Sequence, residues 1–92
     1  MTTLQKTNIE KQIQQIKSEP VRLRVRFIYN VFSVHFNFKR TQKRYMALLQ
    51  NRIRSVKHMN DKEALIKLAM WFRIIAHDIL KDNEIINEYK QL

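Results

Sequence analysis

From Val21 to Phe27, and again from Phe32 to Phe38, apolar and polar side chains alternate without a break. A period of two sends successive side chains to opposite faces of a strand, and the apolar members here are mostly β-branched or aromatic, as strands prefer. The two runs also fit each other. A turn centred on Tyr29 and Asn30 pairs Phe27 with Phe32, Val25 with Val34, Leu23 with Phe36 and Val21 with Phe38, so all eight apolar side chains share one face. The other face carries Arg22, Arg24 and Arg26 opposite Asn37, His35 and Ser33. This pattern predicts a β-hairpin over 21–39. Two features weigh the other way. The turn lacks the glycine that two-residue hairpins favour, and Val21, Val25, Ile28 and Phe32 also make one stripe of an apolar helix.

Around this segment the apolar period changes to 3.6. Thr7 and Glu10 fit a capping box ahead of Ile9, Ile13 and Ile16, which predicts a helix over 7–18 that Glu19-Pro20 ends. Over 41–59, Tyr45, Leu48, Leu49, Ile53, Val56 and Met59 line one face, with Arg40, Lys43, Arg44, Arg54, Lys57 and His58 opposite. Arg52 falls at the apolar edge, where its stem can pack. Asn60, with Asp61 and Glu63 behind it, opens a helix over 61–81 whose core stripe is Leu65, Leu68, Ala69, Phe72, Ile75, Ala76 and Ile79. Met70, Trp71 and Ile74 project away from that stripe and form a candidate protein interface. A short helix over 84–91 closes the chain. The expectation is one small basic α+β domain over 1–92: N-terminal helix, two-stranded antiparallel hairpin, two longer helices and a short C-terminal helix. An all-α bundle is the alternative.

The charge is unevenly placed. Residues 21–60 hold ten of the eighteen Lys and Arg and no Asp or Glu, whereas residues 61–92 are close to neutral. An ordinary soluble surface intersperses both signs. Forty residues without a carboxylate leave these cations few partners inside the molecule, and such a field attracts a polyanion. The expected function is therefore non-catalytic binding of nucleic acid, DNA or RNA. Arg22, Arg24, Arg26 and Lys39 on the hairpin, with Arg40, Lys43, Arg44, Arg54 and Lys57 on the helix, are the expected phosphate contacts, and His35 and Asn37 add hydrogen bonds.

Other chemistry is narrowed by what the chain lacks. With no glycine, loops that bring backbone close to phosphate, as in P-loops and dinucleotide folds, are excluded on steric grounds. With no cysteine there is neither a disulfide nor a thiolate metal site, and His35, His58 and His77 lie on separate elements, so no metal or cofactor is expected. No apolar run reaches membrane-spanning length and the first residues do not form a secretory signal, so a cytoplasmic location without membrane contact is expected.

A small basic ribonuclease is a further alternative, through His35 beside Arg24 or through Arg73 and His77 one helical turn apart. The second pair resembles the Arg–His motif of HEPN-type ribonucleases, but with a narrower spacing than that motif has, so no role is carried over. His77 and Asp78 are expected on different sides of their helix and not as a dyad. Another alternative is a phage- or plasmid-type accessory factor that inhibits or adapts a larger acidic protein through Met70, Trp71 and Ile74. Edge pairing of the hairpin would support a homodimer.

Overall fold

The computed structural model describes residues 3–92, with side chains from Asn8 onward, and no strand occurs among the described residues. Among the described residues five α-helices follow one another: α1 (Thr3–Gln14), α2 (Glu19–His35), α3 (Lys39–Val56), α4 (Asp61–Ile74) and α5 (Asn83–Lys90). A π-helical turn, Ile75–Ile79, continues α4. The expected hairpin is thus replaced by α2, and the α+β architecture by an all-helical one.

Local sequence explains the replacement. Ser18 caps α2, its hydroxyl accepting from the Val21 amide at 3.4 Å, and Glu19 and Pro20 occupy the first turn. Proline fits there because its missing N–H has no intrahelical partner in any case. Glu19-Pro20 therefore starts a helix as well as following one. The stripe Val21, Val25, Ile28 and Phe32 is buried, flanked by Tyr29 and Val31. Of the eight residues that would share a hairpin face, the fold buries Val21, Val25, Phe32 and Phe36 but leaves Val34 69% and Phe38 80% exposed. α1 also begins before Thr7, so the expected capping box lies inside the helix and not at its start.

α2 packs on α1, α3 and α4, and the whole is a slab of 34 × 30 × 17 Å, about two helices thick. Two aromatic groups hold it. Phe32, fully buried, meets Phe36, Tyr45 and Trp71 edge-on at 5.4, 5.7 and 5.8 Å between ring centres, which joins α2 to α3 and α4. Phe27, Phe72 and Tyr89 form the second group between α2, α4 and α5. On the opposite flank the Tyr29 hydroxyl donates to Glu10 Oε1 at 3.0 Å and fastens α2 to α1. Burial, reinforced by that hydrogen bond, raises the Tyr29 pKa well above the ordinary value.

Without glycine, the helix ends rely on other residues. Lys81 takes the left-handed conformation that closes the π-helical turn, at a φ of 53°. Asn60 caps α4 and Asp82 caps α5 through side-chain oxygens.

Tyr89 Oη is buried with no hydrogen-bond partner, and burial pushes its pKa from 10.0 to about 12 against the opposing pull of Arg24. The folded hydroxyl keeps its proton where the unfolded one loses it, so stability falls as the pH rises above about 10. Tyr89→Phe removes the unsatisfied group and is expected to raise stability by about 1 kcal/mol at neutral pH in a urea titration. It also removes the share of Tyr89 in the alkaline loss. A destabilisation of that size would show that the hydroxyl is satisfied.

Candidate nucleic-acid interface

α3 turns Met46, Leu49, Ile53 and Val56 into the core, and Tyr45 and Gln42 are half-buried beside them. Gln42 Nε2 donates to the carbonyls of Ser33 and Phe36, both at 3.1 Å. These acceptors belong to the end of α2, where carbonyls lack helical partners. Tyr45 stacks on Phe36 with ring centres 4.1 Å apart. Together they fix the three-residue turn between α2 and α3 and so the direction in which α3 faces.

At about 100° per residue the remaining positions fall on the solvent side. Lys39, Arg40, Lys43, Arg44, Arg54, Lys57 and His58 are all exposed there, and α3 contains no acidic residue. The start of α3 compounds the charge. Its cap position is Phe38, which makes no side-chain hydrogen bond, and its first turn has no acid. The positive end of the helix dipole therefore lies beside Lys39, Arg40 and Lys43, an arrangement that destabilises the isolated helix and that an anion relieves. Among the described residues the only contact between a basic and an acidic side chain at ion-pair distance is His77 Nδ1 with Asp78 Oδ1, at 2.8 Å. The cations of residues 21–60 make none.

The three arginines of the expected hairpin are dispersed. Helical spacing puts Arg22 and Arg26 on the α1 flank of α2 and Arg24 on the α4–α5 flank. Arg22 Nη1 donates to the Ile16 carbonyl at 2.7 Å and closes the α1–α2 connection. Arg24 donates to the carbonyls of Pro20 and Leu92, both at 2.9 Å. Arg26, one helical turn from Arg22, is exposed on the same flank. His35 and Arg24 were expected side by side across the hairpin. Eleven residues of helix now separate them by about 16 Å. His35 and Asn37 are exposed at the α2–α3 turn, next to Lys39 and Arg40. The structure thus gathers Asn37, Lys39, Arg40, Lys43, Arg44, Arg54 and Lys57 along one helix and its entrance, and leaves Arg22, Arg24 and Arg26 out.

Arg52, expected at the apolar edge, lies over the Trp71 ring at 5.2 Å, a cation–π contact between α3 and α4. Trp71 is consequently half-buried and is a packing residue, not an exposed anchor. Met70 and Ile74 are exposed as expected, and Ile66, not foreseen, continues their line at i, i+4 and i+8. That line lies on the side of α4 opposite its buried residues Ala64, Leu68 and Phe72. His77 Nδ1 and Asp78 Oδ1 do meet, at 2.8 Å, contrary to the expectation that they diverge. The π-helical turn advances each residue through a smaller angle than an α-turn, which brings neighbours together.

No group of three or more His, Asp or Glu among the described residues is arranged to hold a metal, and no described helix is long and apolar enough to cross a membrane. No family model, curated protein or solved structure matches the sequence.

Proposed function

We propose that the chain binds nucleic acid through the outer face of α3, holding phosphates by charge and catalysing no reaction on them. Six Lys and Arg share that face with no carboxylate among them, and this supports the reading. An ordinary solvated helix would interleave Glu at i+4 for the local ion pairs that stabilise it. α3 forgoes them along its whole length and adds an uncapped, cation-rich N-terminus. Phosphate oxygens supply what both features lack.

The direct test is binding of a fluorescein-labelled 20-base-pair duplex, followed by anisotropy at two salt concentrations. Six phosphate contacts predict a loss of affinity of about 10³-fold between 50 and 200 mM salt. No binding at 50 mM, or binding indifferent to salt, ends this reading.

The exposed line Ile66, Met70 and Ile74 favours a second reading, an adaptor that holds a protein partner through α4. On that reading Met70→Lys abolishes co-purification of the partner and leaves duplex affinity unchanged. A partner retained by the variant contradicts it.

A further inference from the structure

We infer that the polyanion is duplex DNA and that α3 lies in its major groove, with Ala47, Gln50 and Asn51 against the base edges. The inference rests on the reading of the α3 basic face given above and adds what that face does between its charges.

Apart from Arg52, which packs on Trp71, the cations on the α3 face form two groups, Lys39, Arg40, Lys43 and Arg44 at one end and Arg54 with the C-cap Lys57 at the other. Ten residues separate Arg44 from Arg54, about 15 Å along the axis. The major groove of B-form DNA is about 12 Å wide and admits a helix. Because the groove curves around the duplex, a straight helix seated in it approaches the phosphate strands at its two ends, where these groups lie, while its middle faces the floor. A purely electrostatic binder has no reason to leave its centre uncharged, since a Lys or Arg there would add a phosphate contact.

The middle carries residues suited to bases. Ala47, Gln50 and Asn51 fall at i, i+3 and i+4 and so form one continuous surface. Ala47, Asn51 and Arg54 are exposed and Gln50 half-exposed. Ala47 and Asn51 continue the row of Lys43 at intervals of four. An Asn or Gln amide donates to N7 and accepts from N6 of adenine, and an alanine methyl packs on the methyl of thymine. Ala47 also keeps the helix slim where it would approach the bases most closely. Duplex RNA does not offer this fit, because its major groove is too deep and narrow for side chains to read.

The test is selection from a library of randomised 20-base-pair DNA duplexes, for the wild type and for Asn51→Ala and Gln50→Ala. The wild type is expected to enrich a motif containing adenine and to prefer it roughly 10- to 100-fold over unselected duplex. Each alanine variant should lose the adenine preference at one position while keeping its affinity for unselected duplex and its salt dependence. An RNA duplex of the same sequence should show only the salt-dependent background. If the wild type enriches no motif, if the enriched motif survives in both variants, or if RNA duplex binds as tightly as the selected DNA, the inference is overturned and the function proposed above still stands. If no duplex of either kind binds at low salt, both fall together.

Discussion

Replacing Lys43, Arg44, Arg54 and Lys57 together by glutamine is expected to weaken binding of a 20-base-pair duplex by about 10³- to 10⁴-fold in 0.1 M salt. Each neutralised phosphate releases its counterions with an exponent of about 0.9, so in 0.1 M salt one lost contact costs roughly eightfold, and four multiply. All four side chains are exposed. Glutamine is a good helix former, so the substitutions touch the charge and not the packing, and the urea midpoint should stay within the range of ordinary surface changes. Neutralising Lys62, Lys67 and Lys90 on α4 and α5 provides the comparison. It removes three charges from faces without the α3 pattern and is expected to cost less than tenfold. Equal losses from the two sets would mean that net charge and not the α3 face drives binding.

Phe32→Ala is expected to cost about 4 kcal/mol, read from urea denaturation. Phe32 is fully buried and stands edge-on to Phe36, Tyr45 and Trp71, so its removal opens a cavity where three helices meet. A domain of this size has a total stability of roughly 5–10 kcal/mol, so the variant would lie close to unfolding. The companion substitutions are Leu23→Ala and Val34→Ala. A hairpin would place both side chains on the core face beside Phe32, and both would then be costly. In the helical fold both are exposed, and each should cost less than about 1 kcal/mol. A large loss at Val34 with a small one at Phe32 would restore the hairpin.

The contrast between those positions also explains why residues 21–38 are hard to read. Val21, Leu23, Val25 and Phe27 alternate with arginines, and alternation is a strand signal only if the arginines belong on one face. Long arginine stems can instead lie along a helix flank and donate to backbone, as Arg22 does to Ile16 and Arg24 to Pro20. The deciding information is partly local. Ser18-Glu19-Pro20 is a helix start, the turn at Tyr29-Asn30 has no glycine, and Val21, Val25, Ile28 and Phe32 fall at helical spacing. The rest is tertiary, since only the packing of α3 and α4 on Phe32 settles which stripe is buried.

α3 and α4 are more legible because each has a single apolar stripe and, for α4, an Asn60 cap. Even so, the buried side of α3 is displaced. Met46 is in the core, whereas Leu48, expected there, is exposed, because the helix rolls to bring Gln42 and Tyr45 onto the end of α2. The π-helical turn after α4 left no sequence signal that period alone could find, and it turns Ile79 out of the core stripe. The helical half of the expected set stays together on one exposed face, because Arg40, Lys43, Arg44 and Arg54 lie away from the buried stripe of α3, while Arg52 sits at its edge over Trp71. The hairpin half does not, because its shared face depended on a period of two.

The most direct test of the α3 face is the slope of log affinity against log salt for the duplex, measured for the wild type and for the fourfold glutamine variant. Six phosphates held by α3 predict a slope of about −5 for the wild type, falling to about −2 when four of the six cations are neutralised. Equal slopes in the two proteins, or a wild-type slope near zero, would contradict an electrostatic nucleic-acid interface on this helix.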